Sequence, residues 1–356
     1  MPRKAKALVP SDLVSNPATR RAFHQALNAW FKKDGRDLPW RRTHDPYAIL
    51  VSEFMLQQTQ VATVIPYFER WLVRFPDFNA LAAAPEEEVL HAWQGLGYYA
   101  RARNLHRAAR FVAEQHGGEL PDDPAVISEL PGVGKYTAGA VGSFAFDRPV
   151  AAVDANIGRV LARIADFREP VDTPAGMAGL WEIAEALLPA KGGRLHNSAL
   201  MELGALLCTP RQPQCLVCPI RPNCAATAPE SLPVKKPRRK TVVLDEPCGW
   251  IEKDGKLLLE RQTGSRWKGL WKLPRLEAAP SAEPIYEADY PFTHHRVRLK
   301  VFRTAAPKRA GEDQEWIPFG EIEAIAMTAP HRRAVEKLMT SRQAETANRT
   351  GASPRK

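Results

Sequence analysis

Apolar residues recur at helical spacing through roughly the first two thirds of the chain, as in Phe23, Leu27, Trp30 and Phe31, with no strand-like alternation. Proline interrupts the pattern at Pro39, Pro46, Pro76, Pro121, Pro131 and Pro149. Glycine pairs at Gly117-Gly118 and Gly192-Gly193 mark further turns, so many short helices are predicted. The longest apolar stretch, Ala48 to Phe68, predicts one buried helix; Glu53, three glutamines and Pro66 make it too polar and broken for a membrane span. After a Pro-rich basic stretch the texture changes. Val242 to Leu244 and Gly249 to Glu252 predict strands, and Asp254-Gly255 predicts a hairpin turn. Val297, Leu299 and Val301 alternate with Arg296, Arg298 and Lys300, and a helix is expected from about His331 to Thr340. The expected organisation is a basic tail (1–20), a helical domain (21–228), a basic linker (229–241), an α/β domain (242–340) and a second basic tail (341–356).

At 356 residues the chain is long enough for two domains with their own cores, and 44% apolar and 25% charged residues are ordinary for a soluble globular protein. A net charge of +10 changes the picture by pointing to a polyanionic partner. Nothing resembles a secretory signal, so a reducing, intracellular setting (cytoplasm or nucleoid) is expected, with no membrane partner and a monomeric state. Cys208, Cys215, Cys218 and Cys224 form a C-x6-C-x2-C-x5-C run, with Cys248 standing apart. Soft thiolates at short offsets suit an iron–sulfur cluster or zinc, and spacing alone does not choose between them. A disulfide framework is a poor fit to a reducing compartment.

Two more motifs carry chemistry. Leu130-Pro131-Gly132-Val133-Gly134-Lys135-Tyr136 joins a short helix to a longer Ala/Gly-rich one through a Gly-x-Gly hairpin. Gly132 and Gly134 let bare N–H groups approach an anion, which grips a DNA phosphate without reading sequence. Further on, Asp154 opens Val153-Asp154-Ala155-Asn156-Ile157-Gly158-Arg159. Alone it reads as a helix cap; between the hairpin and the cysteines it reads as a functional carboxylate.

In this order, hairpin, aspartate and four-cysteine run resemble the endonuclease III superfamily of DNA glycosylases. Within it the chain is similar to the MutY adenine glycosylases through Leu38-Pro39-Trp40-Arg41, Asp45-Pro46-Tyr47, Val51 to Val61 and Gly95-Leu96-Gly97-Tyr98-Tyr99-Ala100-Arg101. The resemblance covers about residues 21–340. It implies a mainly α helix-hairpin-helix glycosylase domain with a [4Fe–4S] loop on the four cysteines, plus a C-terminal α/β Nudix-like domain. The implied activity is base-excision repair, removing adenine opposite 8-oxoguanine or guanine in double-stranded DNA. Glu53 shares a helical face with Ile49, Leu56 and Gln57, where a carboxyl should keep its proton at neutral pH and protonate adenine N7. Asp154 would stabilise the oxocarbenium sugar in the two-carboxylate manner of glycoside hydrolysis. The resemblance gives Tyr136 and Asn156 supporting roles, Leu38, Trp40 and Arg41 the adenine-pocket wall, and Gln58, Leu96 and Tyr98 the wedge into the duplex. The glycines flanking Leu96 predict an exposed loop there.

In the C-terminal domain, Trp267-Lys268-Gly269-Leu270-Trp271-Lys272-Leu273-Pro274 matches the family's Nudix-like pattern, without an acidic Arg-Glu-x-x-Glu-Glu helix for magnesium. Recognition without hydrolysis follows, through Phe292, Thr293 and His294 where relatives carry Phe-Ser-His. Two departures stand out: Thr293 adds a methyl to that loop, and Ser198 replaces a Glu or Gln facing the adenine. Tyr136 occupies the place of the Schiff-base lysine of the lyase branch, and adjacent Lys135 is rotated by about 100° on the helix. A monofunctional glycosylase is therefore expected, ahead of a pyrimidine-damage glycosylase/lyase or a non-catalytic lesion sensor. Arg194, Arg211 and Arg221 are expected around the cysteine loop.

Overall fold

The computed structural model describes residues 10–237, 241–264, 267–292 and 295–350. Two compact units divide the chain: Met1–Ala84 with Asn104–Pro237, and Pro85–Arg103 with Arg238–Lys356. The helices are α1 (Ser11–Ser15), α2 (Pro17–Asp34), α3 (Pro46–Leu56), α4 (Val61–Arg74), α5 (Phe78–Ala83), α6 (Glu86–Ala92), α7 (Ala100–His116), α8 (Pro124–Glu129), α9 (Lys135–Phe144), α10 (Ala155–Ile164), α11 (Pro174–Leu187) and α12 (Gly193–Leu206). Of these, α6 and the first turn of α7 fall in the second unit. The one-piece helical domain expected over 21–228 is thus interrupted, because residues 85–103 bond to the C-terminal residues.

The prolines that break the periodicity also start helices. Asp45 caps α3, accepting from Tyr47 N (3.0 Å) and Ala48 N (3.3 Å), with Pro46 in the first turn. The helix expected over Ala48–Phe68 is two helices, because Gln57 leaves the helical conformation and Gln58 takes a φ of 58°. Residues 11–20 are not a tail: Asn16 caps α2 and Leu13 is fully buried against the core formed by α2, α10, α11 and α12. The first part of the expected linker also packs down. Leu232 is buried, Val171 N donates to Val234 O (3.0 Å) and Lys236 N donates to Asp172 (2.9 Å).

In the second unit the strands are β1 (Val242–Trp250), β2 (Glu252–Lys253), β3 (Lys256–Arg261), β4 (Trp271–Lys272), β5 (Tyr286–Phe292), β6 (His295–Arg303) and β7 (Gln314–Pro318), followed by α13 (Ala329–Thr350). One sheet has the order β1-β6-β5, with β1 parallel to β6; in the other, β3 pairs antiparallel with β2, β4 and β7. The two strands expected near 242–252 join in β1 as far as Trp250, with Glu252 in β2, and α13 extends into the expected tail. Asp254 and Gly255 both have positive φ, as a two-residue hairpin turn requires. Val297, Leu299 and Val301 turn inward with Leu257, Leu259 and Ile317 to form the core. Within it, Tyr290 Oη donates to Glu246, and His331 Nδ1 accepts from Leu273 N (3.2 Å). Glu246, Cys248 and His331 bring ligand atoms within 4.8 Å of one another. Glu246 Oε1 stands 3.8 Å from His331 Nε2.

His24 on α2 and His196 on α12 meet edge to face, their centroids 5.1 Å apart. Burial, then the His24 and Arg20 charges, pull His196 from 6.5 down to about 3; burial and then Arg20 lower His24. With folded-state values below unfolded ones, stability present above pH 6.5 is lost as pH falls toward 3. Between roughly pH 7.5 and 5.5, His196→Leu should therefore lose less stability than the wild type in denaturant titrations; an identical pH slope in the two proteins would exclude His196 as a source of acid sensitivity.

Candidate active site

One cavity of about 320 Å³ in the first unit gathers residues from distant parts of the chain. Helix α3 contributes Ile49, Ser52, Glu53 and Leu56; the turn after it contributes Gln57 and Gln58. Tyr136 arrives from α9, which follows Gly134 and the hairpin, where Gly132 holds a φ of 80°. Asp154 and Asn156 come from the start of α10. A glycine makes that meeting possible: a Cβ on Gly139 would stand 2.1 Å from Ala151 O, so only a bare α9 backbone lets the segment before Asp154 lie against it.

The two carboxyls have different surroundings. Glu53 is 4% exposed, and its Oε2 accepts from Tyr136 Oη at 2.7 Å. Burial raises its pKa to about 7; the Tyr136 bond works against that rise and the Asp154 charge adds to it. Burial, then the same carboxylates, push Tyr136 well above its usual value, so it stays a donor. Asp154 is also raised by burial, but Ile157 N (2.7 Å to Oδ1) and Asn156 Nδ2 (3.1 Å to Oδ2) favour its ionised form. Glu53 is suited to hold a proton and Asp154 a negative charge.

Leu38, Trp40, Arg41 and Ser198 line the same cavity, so it contains every expected catalytic and pocket-wall residue together with Gln58. Sequence reasoning missed Glu202, one turn beyond Ser198 on α12 and fully buried. Its carboxylate accepts from Arg36 Nε (2.7 Å) and Nη2 (2.9 Å), and from Arg41 Nη2 (2.8 Å). Burial opposes its ionisation, yet these bonds hold its pKa at about 2. The signal was an acidic residue at i+4 from a pocket position. Arg194, expected by the cysteines, instead lines this cavity and donates to Arg41 O and Thr43 O, both at 2.7 Å.

The four cysteines line a separate small cavity. Arg221, expected there, lines it and donates from Nη1 to Cys224 O (3.1 Å); Arg159 and Arg163 of α10, which sequence reasoning had not singled out, also bind the loop. Arg159 Nε donates to Cys208 O (2.7 Å); Arg163 Nη1 donates to Thr209 O (2.8 Å) and lies 3.2 Å from Cys208 Sγ. Arg211 and Arg221 are exposed on the loop. Among the described residues, no three of these sulfurs lie within 4.8 Å of one another.

Leu96 and Tyr98 belong to the second unit. Tyr98 is 53% exposed, but Leu96 is only 5% exposed: its backbone lies in the loop while its side chain packs inward. Phe292 ends β5, and Thr293 and His294 lie outside the described residues.

Residues 51–182 match the family model of the HhH-GPD superfamily base excision DNA repair proteins. The chain is 35% identical over 263 residues to an adenine DNA glycosylase of Buchnera aphidicola, covering 72% of this chain and 74% of that one. It is 44% identical over 227 residues to the adenine DNA glycosylase of Rattus norvegicus, covering 61% of this chain; the match spans only 44% of the rat protein. Among solved structures, a thermostable thymine-DNA glycosylase superposes with a TM-score of 0.53 at 34% identity, covering 58% of this chain and 96% of that one.

Removing the charge of Glu202 leaves two arginines facing a neutral amide. Glu202→Gln should lower unfolding stability by roughly 3 kcal/mol in denaturant titrations. A loss below about 1 kcal/mol would mean that the ion pairs do not hold the pocket wall.

Proposed function

Because the chain belongs to the adenine DNA glycosylase family within the helix-hairpin-helix base-excision repair superfamily, we propose that it hydrolyses the N-glycosidic bond of adenine mispaired with 8-oxoguanine or guanine in double-stranded DNA. The observation that carries this proposal is the buried Glu53 carboxyl, poised near neutrality beside Tyr136 and Asp154 in one cavity. The target adenine leaves the stack at a cost of a few kcal/mol and enters between Leu38, Trp40 and the Glu53 face. Glu53 gives its proton to N7, the C1′–N9 bond breaks, and adenine departs neutral. The Asp154 carboxylate faces the oxocarbenium charge left on the sugar. Water adds to C1′ and returns a proton to Glu53, which closes the cycle.

The position of Lys135 supports hydrolysis without lyase chemistry. Its ammonium lies 4.0 Å from the Trp181 ring centroid and 3.4 Å from Glu185, in a different cavity from Tyr136. Gly132 and Gly134 are the proposed phosphate grip. In the second unit, the Trp267–Pro274 pattern and the β5–β6 hairpin support a Nudix-like fold that recognises 8-oxoguanine through Phe292, Thr293 and His294.

We propose a [4Fe–4S] cluster on Cys208, Cys215, Cys218 and Cys224. Zinc–sulfur bonds of about 2.3 Å would set tetrahedral thiolates less than about 4 Å apart. No three of the four sulfurs come within 4.8 Å of one another, and an all-thiolate set fits a cluster. With every cysteine engaged as a ligand, the cluster would brace the loop and present its cations to DNA. Purified protein should absorb in the visible range with about four irons per chain, and Cys218→Ser should lose both; stoichiometric zinc without that absorption would overturn the assignment.

Single-turnover adenine release should fall as pH rises through about 7, where Glu53 loses its proton. Glu53→Gln should retain lesion-duplex binding but lose about 10²–10⁴-fold in rate. Tyr136→Phe removes the bond that lowers the Glu53 pKa, so the alkaline limb should move to higher pH. A limb that stays in place would rule out Glu53 as the proton donor.

A further inference from the structure

The segment Pro85–Arg103 belongs to the same compact unit as the C-terminal residues, although more than a hundred residues separate them in sequence. Its tip is Gly95-Leu96-Gly97-Tyr98-Tyr99. Gly95, Gly97 and Tyr98 all have positive φ, at 100°, 70° and 47°. For a tyrosine this backbone is uncommon and costs on the order of 1 kcal/mol, so it persists only where surrounding bonds over-determine it. The ring is 53% exposed, so core packing does not supply that constraint.

The bonds come from two directions. Locally, Trp93 Nε1 donates to Gly97 O (3.1 Å), while buried Arg101 donates to Leu96 O (2.8 Å) and Gly97 O (3.1 Å). From the C-terminal part, Met327 O accepts from Tyr99 Oη at 3.1 Å, immediately after Tyr98. Arg332 Nη2 donates to Gln94 Oε1 (3.1 Å) on the other side of the tip, and its Nη1 is held by Ile322 O (2.9 Å). Arg103 closes the base of the loop by donating to Lys268 O and to Glu86 (2.8 Å). Both arms of the tip are therefore tied to residues over two hundred positions away.

We infer that Tyr99 and Arg332 are positioning residues for base extrusion: through them the C-terminal part of the chain holds Tyr98 in its presented conformation. The inference rests on the proposed role of Tyr98 as a wedge. It adds that the residues setting the wedge come from the part of the chain proposed to recognise the opposite base. Neither Tyr99 nor Arg332 touches DNA in this scheme; each acts through Tyr98.

A double-mutant cycle on the full chain tests this with an adenine:8-oxoguanine duplex. The readouts are single-turnover adenine release and the fluorescence of a 2-aminopurine beside the target adenine. Tyr98→Ala should slow both. Tyr99→Phe, which keeps the ring and deletes only the hydroxyl, should slow both by about fivefold, the effect of one net hydrogen bond; Gln94→Ala, which unties Arg332, should do likewise. In the Tyr98→Ala background neither second change should slow the enzyme further. Matched denaturant midpoints exclude a folding defect in the Tyr99→Phe and Gln94→Ala proteins. Equal slowing with and without Tyr98, or no slowing by either variant, would overturn the inference. Wild-type rates in Tyr98→Ala alone would instead remove the wedge on which it rests.

Discussion

Helix α10 is buried from Ile157 to Ile164, and the first unit is organised around satisfying the polar groups this burial strands. A helix start leaves N–H groups without intrahelical partners. Here the Asp154 carboxylate accepts one of them from Ile157, and the same carboxylate lines the reaction cavity. Two turns on, Arg159 and Arg163 are 8% and 1% exposed and spend their donors on carbonyls of the cysteine loop and its neighbours. One helix therefore fixes the proposed catalytic carboxylate at its start and the four-cysteine loop along its side.

The cavity then divides labour between its acids by the donors each receives. Asp154 receives a backbone amide and a side-chain amide, both of which favour charge. Glu53 receives a phenol whose own ionisation is suppressed by burial and by the carboxylates around it. The surrounding cations are prevented from undoing this division. Arg41 is bound by Glu202, and Arg194 by backbone carbonyls, so neither guanidinium is released toward Glu53.

Much of this was legible in the sequence, for a physical reason. Glu53, Asp154, Tyr136 and the cysteines sit in short segments whose local structure is determined locally, by a cap, a Gly-x-Gly turn or a ligand spacing. Periodicity gave the helical half its class, and alternation with Asp254-Gly255 gave the α/β half its hairpin. What failed was non-local. Nothing in the spacing of residues 85–103 reveals that their partners are Met327, Arg332 and Lys268, so the helical domain was expected in one piece. Residues 11–20 and 229–237 read as tail and linker from composition, because the burial of Leu13 and Leu232 depends on helices far along the chain. Arg194 was assigned by sequence proximity to the cysteines, whereas α12 carries it to the other cavity.

The arrangement also has a thermodynamic cost that follows from its chemistry. A carboxyl whose pKa is about 7 in the folded chain and near 4.5 in the unfolded one stabilises the unfolded state progressively as pH rises between those values. Near neutral pH the fold therefore bears most of the penalty of keeping Glu53 protonatable. A glutamine there would be easier to bury, yet it has no proton to give. The surrounding structure offsets the penalty with interactions that do not touch the reacting groups: the capped helix starts, the α2–α12 contact and the buried Glu202 pairs. Local consistency among these elements allows one position to violate it, and that position is the one proposed to donate the proton.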